Sequence, residues 1–161
     1  MKPDIRDDRT RFDEILREIE LLQNSYVIVG FQEGSVTHAQ SKNGRDKKAG
    51  LSMPQIAAQN EFGTDKIPAR PFMSTAFDEN RAKIDKAINS EYGKILEGAS
   101  TVKRSLGLIG LLMEKLIVEK IRQIQTPPNA PLTIKLKGSS KPLIDFGQMV
   151  SSVTSKVVIN G

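Results

Sequence analysis

Glu61, Arg70 and Asp145 are the ionisable residues set in the most conformationally restricted stretches of this chain. Two carboxylates can serve as acid and base in glycoside hydrolysis, or hold a metal for phosphodiester cleavage. The spacing of Glu61 and Asp145 does not support either, and each stands close to a turn glycine, Gly63 or Gly147. The structural alternative is that Asp145 accepts backbone N–H bonds ahead of Gly147, while Glu61 pairs with Arg70 or caps a turn. Arg70 lies between Pro68 and Pro71, which fix φ and push the residue before each of them out of the helical region. Its guanidinium therefore leaves a rigid corner, placed either for bidentate pairing across an interface or for an internal ion pair.

Other chemistries lack parts. His38 is the only histidine and there is no cysteine, so a zinc or copper site has too few soft ligands. A serine nucleophile has only that one imidazole to call on, and no G-x-S-x-G occurs. Lys135, Lys137 and Lys141 surround Gly138–Ser139–Ser140 without the G-x-x-x-x-G-K-[ST] pattern of a phosphate-cradling loop. These lysines, with Arg45, Lys47 and Lys48, are either solvated or turned towards DNA phosphates or a partner's acids. No catalytic residue, cofactor or metal ligand is expected.

The elements that position these groups follow from hydrophobic spacing. Phe12, Ile15, Leu16, Ile19 and Leu22 form an i, i+3, i+4, i+7 stripe that predicts an amphipathic helix over 11–22, with Asp7, Asp8 and Thr10 as candidate caps. Tyr26–Phe31 is short and β-branched and reads as a strand. Residues 32–50 form a long polar loop or hairpin extension. Ser52 and Gly63 bracket a short helix over 53–62. Phe62, Phe72 and Met73 offer apolar anchors around the corner that follows. A longer helix is expected from about Pro71 to Leu96, ended by Gly98, and another over 101–125.

That last helix carries Leu106, Ile109, Met113, Leu116, Ile117, Ile121 and Ile124 on one side, and Leu108, Leu111 and Leu112 on another. A helix wet on one face does not normally carry both sets. It is either the central core element or lies between its own domain and a partner. Gly107 and Gly110 flatten it for close approach of another element. Thr126–Pro131 is a proline-rich stop, Leu132–Lys137 a short turn or helix, and Val150–Ile159 carries the C-terminal strand signal. The expected fold is α+β: one domain with a small, mostly antiparallel sheet packed against two long helices plus shorter ones.

The 161 residues suffice for one domain with a buried core, and the net charge of +5 is compatible with a nucleic-acid neighbour. The chain has no tryptophan and little tyrosine, hence no evident stacking platform for single strands. Its most apolar run, Leu106–Val118, is interrupted by charge and is shorter than the ~20 residues a membrane span needs. No signal peptide is visible, and a soluble protein is expected.

Asn60–Glu61–Phe62–Gly63–Thr64 with Ile67–Pro68–Ala69–Arg70–Pro71–Phe72 resembles the central signature of the HK97-gp10-like and related phage virion-morphogenesis proteins. Leu132–Thr133–Ile134, Lys137–Gly138 and Lys141–Pro142–Leu143–Ile144–Asp145 with Gly147 and Gln148 resemble the second signature of that family. The chain departs from the pattern at Phe146, where a small hydroxyl residue is typical, and at Leu136, where a basic one is common. The resemblance implies a non-enzymatic neck or tail-completion protein of a tailed bacteriophage virion, assembled in the host cytoplasm. It would form a homo-oligomeric ring, six- or twelve-fold, at the head–tail junction. Its neighbours would be head-closure or connector and tail-terminator or tail-tube proteins, with genomic DNA in the lumen and no membrane.

On this reading Arg70, Phe72, Phe146, Leu108, Leu111 and Leu112 are candidate interface residues. Arg45, Lys47, Lys48, Lys135, Lys137 and Lys141 are candidate lumen- or partner-facing cations. A tail terminator is the alternative within the virion, and a small basic DNA-binding regulator the alternative outside it. The regulator lacks an evident recognition helix with clustered Arg, Asn or Gln.

Overall fold

The computed structural model describes residues 9–32, 51–131, 134–135, 143 and 148–160. In chain order these form α1 (Arg9–Asn24), β1 (Tyr26–Phe31), α2 (Met53–Phe62), α3 (Met73–Leu96), α4 (Val102–Gln123), α5 (Gln148–Ser151) and β2 (Val153–Val158). The α+β expectation holds: two long helices, α3 and α4, pack on one another, and α4 packs on a two-stranded antiparallel sheet. No helix among the described residues is long and apolar enough to cross a membrane.

Alternation along the strands sets which face is buried. Tyr26 pairs with Val158, Ile28 with Lys156 and Phe31 with Val153. Val27, Val29, Phe31, Val153 and Val157 turn towards the core, while Tyr26 and Ile28 remain exposed on the outer face. The main core joins Met53 and Ala57 of α2, Phe72 and Ala76 at the start of α3, Ile117 and Ile121 of α4, and Met149 and Val153. Phe31 meets the Phe72 ring edge-on, with centroids 5.9 Å apart. A second cluster joins Ile95, Val102 and Leu106, with Leu21 and Leu22 packed against it from α1. No residue of α1 itself is buried.

Helix α4 is the central element, and its small residues explain how the sheet approaches it. A Cβ on Gly110 would lie 2.7 Å from Ser155 Oγ and 2.9 Å from Ser155 Cβ, so β2 crosses where the helix has no side chain. Gly107, one turn earlier, has nothing within 4 Å of where its Cβ would be. The close approach expected of both glycines is therefore made by one.

Several boundaries differ from the sequence expectation. Helix α1 begins at Arg9, so Thr10 lies inside it, and Asp7 and Asp8 fall outside the described residues. Helix α3 begins at Met73, with Phe72 as its cap residue, two positions after Pro71. The C-terminal β signal divides: Gln148–Ser151 is one helical turn, and the strand starts at Val153. Residues 33–50 lie outside the described residues, as do most of the second signature and Phe146, Arg45, Lys47, Lys48, Lys137 and Lys141.

Candidate functional site

The corner between α2 and α3 holds itself closed. Gly63 ends α2 at φ +77°, and a Cβ there would meet the Ala69 nitrogen at 2.9 Å, so both the dihedral and the space require glycine. The chain then turns at Thr64–Ile67, whose backbones exchange N–H···O bonds of 2.8 and 3.2 Å. Thr64 Oγ1 accepts from the Ile67 N–H. Arg70 N–H closes back onto Asn60 C=O at 2.7 Å.

Glu61 caps the next helix. Its carboxylate accepts from the Met73 N–H at 2.8 Å, the Ser74 N–H at 2.9 Å and the Ser74 hydroxyl at 2.7 Å. Phe72, in the cap position, has no oxygen to offer, so a carboxylate from the previous helix satisfies the donors that α3 leaves open. Glu61 is expected from the sequence to pair with Arg70 or cap a turn; it caps a helix instead. Helix α4 is treated alike: Thr101 accepts from the Arg104 N–H, and Glu18 of α1 accepts from the Val102 N–H at 2.6 Å.

Arg70 is 5% exposed. Its Nε donates to Pro127 C=O at 2.8 Å and one terminal nitrogen to Pro128 C=O at 3.1 Å. Two longer contacts, 3.4 and 3.5 Å, run to the amide oxygens of Asn60 and Asn129. Arg70 thus ties the corner to the Thr126–Pro131 segment. Burial lowers its pKa from the ordinary value.

These contacts correct two interface expectations. Arg70 points inward, onto the Pro127 and Pro128 carbonyls, and those acceptors are neutral rather than an acid. Phe72 is 0% exposed and belongs to the core. Conversely, Phe62 is no anchor of the corner: it ends α2 on the outside, 81% exposed.

The surface residues lie on the far side of α4. Leu108 is 44% and Leu111 58% exposed, while Leu112 is half-buried. Leu108 and Leu111 flank the open position at Gly107, and the hollow there is also lined by Thr101, Lys103, Arg104 and Ser155. Phe12 and Leu16 of α1, four residues apart on one helical face, are also exposed. Of the candidate cations within the described residues, Lys135 is exposed.

At the start of α4, Glu91 of α3 is buried and bonded to Lys94 and to the Ser105 hydroxyl. The Lys94 hydrogen bond, opposed by burial and aided by Ser105, holds the Glu91 carboxyl below its ordinary range. Lys120 pairs with Glu79 between α4 and α3. No cluster of three or more His, Cys, Asp or Glu with metal-binding geometry occurs among the described residues.

Sequence reasoning did not find Glu18, Asn129 or the two proline carbonyls. Their partners lie 57 to 84 residues away, and no local pattern announces them. Asn60 was visible as part of the motif, though its service to Arg70 was not. Compared with known proteins, the chain matches no family model, no curated protein and no solved structure. The phage resemblance therefore rests on the two short signatures themselves.

Proposed function

We propose that this chain is a structural component of a tailed-phage virion, a neck or tail-completion protein that assembles into a ring at the head–tail junction and turns over no substrate. The observation that carries the reading is the pair Leu108 and Leu111 beside the open Gly107 position. They form an apolar hollow on the same helix whose opposite face is the core of the subunit. An isolated subunit gains nothing from presenting leucines there, whereas a neighbouring subunit would remove them from water.

A closed ring is built from heterologous contacts, so two different faces of one subunit must match. The outer face of the sheet, where Tyr26 and Ile28 stand exposed beside Lys156, is a second surface distinct from the α4 hollow. The motif residues fit a scaffold as well. The Glu61 carboxylate and the Arg70 Nε side are engaged by backbone groups, so these signature residues specify shape.

Electron microscopy and sedimentation of the purified chain test this reading. Rings or a concentration-dependent closed oligomer are expected. A stable dimer that shifts an operator fragment in a gel would favour the regulator instead. Turnover of any compound lost on Glu61→Gln with the fold intact would end the scaffold reading.

A further inference from the structure

Behind Arg70 lies a cavity of about 350 Å³, at the small end of ligand sites. Its walls are apolar through Met53, Ile56, Leu143 and Met149, with Gln59 on one side and Lys66 beside it. Lys66 is exposed, so one positive charge stands at the rim and the Arg70 guanidinium is buried within. No aspartate or glutamate is among the described lining residues.

The guanidinium is held unevenly. Its Nε and one N–H of a terminal nitrogen make good bonds to Pro127 and Pro128. The edge carrying both terminal nitrogens makes only the 3.4 and 3.5 Å contacts to Asn60 and Asn129, both of which line the cavity. That edge is the fork that a carboxylate grips with two parallel N–H···O bonds. A buried cation surrounded by neutral acceptors gains most from such an anion.

We propose that this cavity binds a carboxylate carried on a short apolar stem, its oxygens on the outer fork of Arg70, its stem against Ile56 and Met149, and Lys66 closing the rim. The site is independent of the ring reading, since it needs only the subunit. It fits a monoanion with an apolar body better than inorganic phosphate, which presents no apolar surface to these walls.

The test is a titration of the full chain, followed by the Arg70 Nε–H resonance and by thermal unfolding, with acetate, hexanoate, hexanamide and inorganic phosphate. Hexanoate should give a saturable shift, with affinity rising up to roughly fourfold per added methylene from acetate onwards. Hexanamide should give none. Lys66→Gln, at an exposed position, should weaken hexanoate several-fold. Gln59→Glu, which places a carboxylate on the wall, should abolish hexanoate binding in a folded protein. Equal shifts from hexanamide, phosphate matching hexanoate, no saturable shift, or full hexanoate affinity in Gln59→Glu would each overturn the assignment. Dissociation of the self-assembled chain by hexanoate would identify an acidic side chain of a second copy as the natural occupant. Binding with assembly intact would identify a free acid.

Discussion

The α2–α3 corner and the outer face of α4 use their side chains in opposite ways. At the corner, polar groups are turned inward and spent on the chain itself: Glu61 on the first N–H groups of α3, Arg70 on the carbonyls that follow α4. On α4, two leucines, Leu108 and Leu111, are turned outward and left about half exposed. The contrast separates two tasks that one sequence motif seemed to combine. The signature residues make the subunit's shape. On the proposed ring reading, the residues that would distinguish a monomer from an assembled subunit lie outside the signature, on a helix whose periodicity carried one apolar face too many.

Breaking the corner should produce the largest effects. Phe72→Ala should cost about 3–5 kcal/mol in denaturant unfolding, because it opens a cavity at the meeting point of α2, α3 and the sheet. Phe62→Ala should cost less than about 0.5 kcal/mol, as an exposed residue does. Equal costs for the two phenylalanines would erase the distinction between inside and outside at this corner. Next comes Glu61→Ala, expected at about 2–3 kcal/mol from a lost helix cap and unsatisfied donors, with Glu61→Gln recovering part of it.

The glycine pair sharpens the comparison within α4. Gly110→Ala should destabilise by about 1–3 kcal/mol, since its methyl meets Ser155. Gly107→Ala should stabilise the subunit by up to ~1 kcal/mol through helix propensity, because its methyl meets nothing. If the hollow is a contact surface, the same substitution should weaken assembly while strengthening the subunit. A Gly107→Ala change that improves both would place the contact elsewhere.

The smallest effect concerns pH. The Glu91 carboxyl lies below its ordinary value of 4.5 in the folded state, chiefly through Lys94. A depressed carboxyl adds stability that is complete above the unfolded value and fades as pH falls through the folded one. Stability measured from about pH 6 downwards should therefore decline more shallowly in Glu91→Gln than in the parent chain. Parallel declines would assign the acid sensitivity to other groups.

The elements themselves were legible because their signals are local. The stripe from Phe12 to Leu22, the β-branched run after Tyr26 and the Ser52 and Gly63 brackets each act within a few residues of where they are written. Glu61 was recognisable as a capping carboxylate, but its target begins 12 residues on, across a turn whose geometry the sequence does not state. Arg70 was recognisable as rigidly placed. Its direction depended on a proline segment 57 residues away, which read only as a stop. Phe62 misled because α2 ends there, and a helix's last residue can face in or out with the same spacing. The surplus leucines of α4 were visible as a surplus. Which of them remained uncovered was decided by where β2 crosses Gly110.

The most direct measurement is the assembly state of Leu108→Glu/Leu111→Glu, read by sedimentation beside unfolding of the same protein. The account predicts a subunit whose unfolding free energy stays within about 0.5 kcal/mol of the parent, as at exposed sites, but which no longer forms the closed oligomer. A double variant that assembles as the parent does would contradict it.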